Sequence, residues 1–95
     1  MSIFKVGIMS DVRFVEAPNA LAAAVFYGIE GTNGNCQFMA AVYEQDGKPY
    51  EGDRTPAMRW HFGGDPSEAE LNQLKADLPM CRFVEKSAIQ PPEES

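Results

Sequence analysis

The sequence predicts an α+β fold, in which a single-domain antiparallel sheet of four to five strands carries one C-terminal helix on one face. Three observations support this fold class: period-two alternation of apolar residues in two segments, an Asp-Gly turn after the second of them, and a capped helix before a short last strand. The 95 residues are enough for one core. We therefore expect one globular domain over residues 1–89 and a flexible polar tail over residues 90–95.

The N-terminal segment predicts a β-hairpin over residues 3–16. Phe4, Val6 and Ile8 lie on one face of the first strand, a Ser-Asp dipeptide follows, and the alternation then resumes.

Residues 18–30 are compatible with two elements. Their apolar side chains have the spacing of a buried helical face, and alanine is the best helix former. Val25, Phe26 and Ile29 favour a strand, however, and a glycine weakens a helix. The pattern predicts a strand over about residues 22–30. If the segment is helical instead, the element order becomes β-α-β-β-α-β, the ferredoxin-like pattern.

The middle of the chain predicts a central strand followed by an edge. The segment "CQFMAAVYEQ" is largely apolar on both faces, which is typical of a strand covered on both sides. An Asp-Gly dipeptide predicts a hairpin turn after it. The return limb "KPYEGDRTP" is short, charged and interrupted by prolines, so it predicts an edge strand or a loop.

The stretch "MRWHFGG" contains the only tryptophan and the only histidine of the chain. Its alternation predicts a strand, with Met58, Trp60 and Phe62 in the core and Arg59 and His61 on the wetter face.

The C-terminal helix is the clearest local signal, and it is predicted over about residues 66–78. Asp65 is a suitable N-cap, Pro66 fits the first helical position, and Glu68 completes a capping box. Three leucines share one face, and a proline ends the helix. The following segment "MCRFVEKSAI" predicts a last strand with Cys81 and Phe83 facing inward.

His61 and Arg59 are the candidates for catalysis, because no other motif in the sequence offers chemistry. A histidine beside a carboxylate can act as a general base, and an arginine can hold an anionic substrate. The alternative is that Glu51 or Asp53 pairs with Arg59 as ordinary sheet stabilisation, which we consider the better interpretation.

No metal site or cofactor is predicted. Cys36 and Cys81 are far apart in the sequence and neither belongs to a Cys-x-x-Cys pair, so we expect two reduced, buried thiols rather than a disulfide or metal ligands. The sequence also lacks a phosphate-binding loop and a nucleophile elbow.

The charge balance predicts the kind of partner. Fourteen acidic and eight basic residues give a formal net charge of −6, which argues against direct binding to nucleic acids or anionic membranes. It favours a protein partner with a basic surface. Because neither a signal peptide nor a membrane span is predicted, we expect a cytoplasmic protein.

Candidate partner-binding residues are acidic and aromatic side chains around the Asp-Gly turn. Carboxylates grip the arginines of a partner, and aromatic side chains are enriched in interfaces. The candidates are Glu44, Asp46, Glu51, Asp53, Tyr43 and Tyr50.

Three functions remain open at this stage. The first is a non-enzymatic, small acidic binding protein that blocks a basic, nucleic-acid-handling protein by steric and electrostatic occlusion. This suits inhibitors made by phages and mobile elements, including anti-CRISPR proteins. The second is a ferredoxin-like dimeric enzyme or ligand-binding protein that uses His61 and Arg59. The third is a self-associating structural subunit.

Overall fold

A computed structural model describes residues 1–32, 38–64 and 66–89, and the following account is confined to these ranges. Five strands form one antiparallel sheet in the order β4-β3-β1-β2-β5, accompanied by three α-helices. The α+β fold class is therefore confirmed. The elements are β1 (Ser2–Ile8), β2 (Asp11–Ala17), α1 (Ala20–Phe26), β3 (Ala41–Gln45), β4 (Lys48–Pro49), α2 (Pro56–Phe62), α3 (Glu68–Asp77) and β5 (Arg82–Val84). None of the helices in these ranges is long and apolar enough to cross a membrane.

The N-terminal hairpin is confirmed as the centre of the sheet. Strands β1 and β2 pair in register from Ser2 opposite Ala17 to Ile8 opposite Asp11. β1 also pairs with β3 on its other side, and β2 pairs with β5. Alternate residues of β1 and β2, among them Phe4, are therefore buried under the helical layer.

The predicted strand over residues 22–30 is wrong, because this segment forms α1 and a π-helical turn over Tyr27–Gly31. Asn19 caps α1 by accepting the Ala22 N–H. The alanines of α1 are buried, and the helix packs directly on β1, β2 and β3. Their small side chains allow the helix to approach the sheet closely, and this packing outweighs the strand preference of the residues that follow.

The order of elements, β-β-α-β-β-α-α-β, also differs from the ferredoxin-like alternative. The helix in residues 18–30 is present, but it follows a hairpin rather than a single strand, and a second helix precedes α3.

The predicted central strand in the middle of the chain is shorter than expected. β3 covers Ala41–Gln45, whereas Phe38, Met39 and Ala40 precede it outside the sheet, and Cys36 lies outside the described residues. The central strand is β1. The apolar pattern is misleading here because Phe38 and Ala40 pack on the core without pairing in a strand.

The Asp-Gly turn and the edge after it are confirmed. Asp46 and Gly47 have φ angles of 52° and 87°, as in a type I′ turn between two antiparallel strands. β4 is only two residues long and forms one edge of the sheet. Pro49 ends the ladder at this edge, since it has no N–H to donate.

The predicted strand in "MRWHFGG" is also wrong, since the segment forms α2 (Pro56–Phe62). Pro56 begins the helix, and Ala57 is buried where α2 packs on α1. Trp60 lies three residues after Ala57 and therefore shares its face, whereas Phe62 is 68% exposed rather than in the core. A short alternating segment cannot distinguish a strand from two helical turns.

The C-terminal helix and the last strand are present, but the helix starts differently. Its N-cap is Ser67, which forms a reciprocal capping box with Glu70, and the predicted cap Asp65 lies outside the described residues. Ser67 can make this box because its partner stands three residues further on, as the motif requires. As expected, Cys81 is buried, and Phe83 packs its ring at 4.9 Å from that of Phe26.

Candidate binding groove between the helices

The two candidate catalytic residues do not converge. Arg59 and His61 are two positions apart on α2, so their side chains leave the helix in widely different directions. The Arg59 guanidinium donates from Nε to Asp53 Oδ2 at 2.7 Å. The His61 ring stacks on Phe38, with centroids 3.9 Å apart and planes 8° apart. Among the described residues no carboxylate binds His61, and no group of three or more His, Cys, Asp or Glu side chains is placed to hold a metal.

The predicted pairing of Asp53 with Arg59 is confirmed, although it joins a loop to a helix rather than two strands. Asp53 also accepts the Thr55 backbone N–H at 3.1 Å. This hydrogen bond first, and Arg59 second, hold the pKa of the Asp53 carboxyl below its usual value. Asp53 is therefore ionised at neutral pH.

The six candidate partner-binding residues lie along the β4 edge of the sheet and the loop that continues it. Glu44 forms an ion pair with Lys5 at 3.5 Å. Asp46 accepts the Ile3 backbone N–H at 2.8 Å, and the Tyr50 N–H donates to the Tyr43 carbonyl at 2.9 Å.

This edge has no excess of negative charge. Its four carboxylates are accompanied by four cations, two of which form the ion pairs with Glu44 and Asp53. The cations are Lys5, Lys48, Arg54 and Arg59. Glu51 is an exposed carboxylate at this edge.

A groove lies on the helical side of the molecule, where α1, α2 and α3 meet. It consists of two adjoining clefts of about 420 Å³ and about 360 Å³. The clefts share four lining residues, Leu21, Pro56, Trp60 and Glu70. We call these two clefts together the helical groove. Asp53 and Tyr50, two of the predicted partner-binding residues, each line one of the clefts.

One wall of the helical groove is aromatic. Trp60 lines both clefts, and Tyr50 lines the second and packs edge-on against Phe4, with ring centroids 6.1 Å apart. The Trp60 Nε1–H is buried, and no acceptor for it exists within residues 1–32, 38–64 and 66–89. A buried donor without an acceptor destabilises a fold by about 1–3 kcal/mol.

The polar lining of the helical groove is predominantly acidic. Three carboxylates, those of Asp53, Glu70 and Asp77, accompany one guanidinium, that of Arg59, so the formal balance is −2. Hydrogen bonds from the Ser67 backbone and side chain lower the pKa of Glu70, which is thus ionised at neutral pH. The acidic excess that is absent from the β4 edge is found here.

A second exposed surface consists of aromatic side chains beside the groove. His61 contacts both Phe38 and Phe62, and its ring centroid is 4.7 Å from that of Phe62. Phe62 is 68% exposed and the neighbouring Met39 is 49% exposed. We call these four residues the aromatic patch. Sequence reasoning missed it because the alternation assigned Phe62 to the core.

Sequence reasoning also missed Trp60 and Glu70 as lining residues. Trp60 was assigned wholly to the core, and Glu70 was outside the predicted capping box. The Ser-x-x-Glu spacing from Ser67 to Glu70 was the available signal for the correct helix start. The groove itself has no sequence signal, because its lining comes from separate parts of the chain.

Comparison with known proteins adds no relative. No family model matches this sequence, and no curated protein or solved structure is significantly similar to it.

Proposed function

We propose that this chain is a non-enzymatic, cytoplasmic binding protein that covers a basic, nucleic-acid-handling surface of a protein partner. It acts by stoichiometric occlusion, as do the small inhibitors that phages and mobile elements direct against such proteins, anti-CRISPR proteins among them. The contact surface is the helical groove together with the adjacent β4 edge.

The helical groove is the observation that supports this proposal. It combines an aromatic wall with an excess of two negative charges, and both features favour a basic protein surface as the partner. Tryptophan, tyrosine and arginine dominate the energetics of protein interfaces. The overall charge of −6 also favours association with a basic partner and opposes contact with phosphate backbones.

The proposal is tested by reconstitution with the captured partner. The tagged chain is used to capture proteins from its native host, and each captured protein is purified and mixed with the chain at known concentrations. We expect one basic protein to form a complex of fixed stoichiometry and to lose its binding to nucleic acid as the chain is added. A captured protein that retains its nucleic-acid binding at saturation would contradict the occlusion mechanism.

The same experiment separates this function from self-association. The mass of the chain in dilute solution is measured first, and a monomer is expected. A stable oligomer that captures no basic protein would favour a structural subunit, with the aromatic patch as the surface between copies.

A further inference from the structure

We propose that the helical groove binds an extended segment of the partner that presents an arginine or lysine side chain, with the aliphatic part of this side chain on Trp60 and its cationic group at Glu70. This inference rests on the proposed function and names the chemistry that the groove recognises.

The size of the groove suits a peptide segment. Each of its clefts, at about 420 Å³ and about 360 Å³, falls within the range of about 300–1,000 Å³ that is usual for ligand sites. Because the clefts adjoin along Trp60 and Glu70, one segment can pass from the first to the second. Pro56 and Leu21 complete the apolar lining that they share.

The wall at Trp60 favours a cation with an apolar stem. Tryptophan is the aromatic side chain that attracts a cationic group most strongly. Arginine and lysine carry such groups on aliphatic stems, which pack on apolar surface while the charge stays near polar atoms. Trp60 and Glu70 line both clefts together, so one side chain can use both.

Glu70 has an oxygen available for this cation. Its Oε1 accepts the Ser67 backbone N–H at 3.0 Å, and within the described ranges no donor binds Oε2. A carboxylate has about four acceptor positions on its two oxygens. Asp53, by contrast, uses Oδ1 on Thr55 and Oδ2 on Arg59, and this pairing also neutralises the one guanidinium of the groove.

Trp60 provides the readout of the test, because it is the only tryptophan of the chain. Its fluorescence is followed while a capped hexa-arginine peptide is added to the full chain. We expect a saturable change with one peptide bound per chain and weaker binding at higher salt. A capped hexa-glutamate peptide should produce no change.

Two variants of equal charge separate the groove from general attraction to an acidic protein. Glu70→Gln keeps the capping box, since glutamine can replace glutamate in it, and it should weaken peptide binding about fivefold to tenfold. Glu51→Gln removes the same charge from the exposed β4 edge and should leave the affinity within about twofold of wild type. Unchanged fluorescence with hexa-arginine, or equal effects of the two variants, would overturn the inference.

The inference and the proposed function can fail separately. If Glu70→Gln leaves the complex with the captured partner intact while hexa-arginine binding is lost, the groove binds cations but the partner does not use it, and the inference is wrong. If hexa-arginine binds as expected and no captured protein loses its nucleic-acid binding, the proposed function is wrong and the cation-binding groove is supported.

Discussion

The side-chain amide of Asn19 connects the first and the last helix of the protein. Its Oδ1 accepts the Ala22 N–H at 2.8 Å and caps α1, while its Nδ2 donates to Asp77 Oδ2 at 3.0 Å. The Gln73 amide donates to the other oxygen of Asp77 at 2.9 Å. Asp77 is only 4% exposed, so these two donors replace the water that a buried carboxylate would otherwise lose.

Replacing Asn19 should therefore destabilise the fold by two separable amounts. Asn19→Ala removes the cap and one donor to Asp77, and we expect the free energy of unfolding to fall by about 2–4 kcal/mol. Asn19→Ser keeps a capping oxygen but has no amide to reach Asp77, so it should lose about half as much. Urea unfolding followed by circular dichroism measures both values.

The two Asn19 variants also distinguish the two roles of this side chain. A serine variant as stable as wild type would mean that the bond to Asp77 contributes nothing. Equal losses for the serine and alanine variants would mean that the cap contributes nothing.

Tyr27 makes the protein sensitive to alkaline pH. Its buried hydroxyl donates to Asp11 in the turn region of the N-terminal hairpin. Burial first, and the Asp11 carboxylate second, raise the pKa of Tyr27 from 10.0 to about 12. Because the folded-state pKa is the higher one, this contribution to stability is complete below about pH 10 and is lost as the pH rises towards 12.

Tyr27→Phe should reduce the dependence of unfolding free energy on pH in this alkaline range. At neutral pH the variant should be less stable by about 0.5–1.5 kcal/mol, because the hydrogen bond to the partly exposed Asp11 is lost. Tyr43→Phe is the matched control and should keep the alkaline slope. Equal slopes for wild type and Tyr27→Phe would contradict the assignment to Tyr27.

Trp60 should tolerate the loss of its indole nitrogen better than the loss of its ring. Trp60→Phe removes a buried N–H that has no acceptor in the described part of the chain. The gain offsets the smaller ring, so we expect stability within about 1 kcal/mol of wild type. Trp60→Ala should lose about 3 kcal/mol because the apolar contacts disappear. Thermal unfolding by circular dichroism compares the two, and equal losses would show that the N–H is hydrogen-bonded.

Glu70 should contribute to acid sensitivity. Its hydrogen bonds from Ser67 hold its pKa below the usual 4.5, so its contribution is present above this pH and is lost as the pH falls through the lower, folded-state value. Glu70→Gln should lose less stability on acidification than wild type does, while retaining the capping box at neutral pH.

Ser67→Ala is the control for this acid prediction. It removes the capping oxygen at every pH, so its stability should be lower than wild type at neutral pH as well. If Glu70→Gln and wild type lose the same stability between about pH 7 and pH 3, the carboxyl of Glu70 is not responsible.

Much of the fold could be predicted where local chemistry points to one structure. The N-terminal hairpin, the Asp-Gly turn, the short edge after it and the C-terminal helix all carry such signals. The predicted pairing of Asp53 with Arg59 was also correct, because the two residues are six positions apart and of opposite charge. The type of element that carries Arg59 did not affect whether the pair forms.

The candidate site was predicted only in part. Asp53 and Tyr50 line the helical groove, whereas Glu44 and Asp46 form contacts within the sheet edge. Sequence alone could not separate these pairs, because acidic residues near one turn look alike until their cations are placed. The nearest cations come from β1 and α2, distant in the sequence from several of the acids they accompany.

The sequence by itself determined the fold class, the N-terminal hairpin and the C-terminal helix, because alternation, turn residues and capping motifs act over a few neighbouring residues. Only the tertiary structure decided that residues 20–26 and 56–62 are helices, and where the groove lies. Both segments are short and have mixed preferences, so burial against other elements selects their conformation. Buried alanines fit α1 to the sheet and Ala57 fits α2 to α1, and this packing brings Trp60 and Glu70 to the same groove.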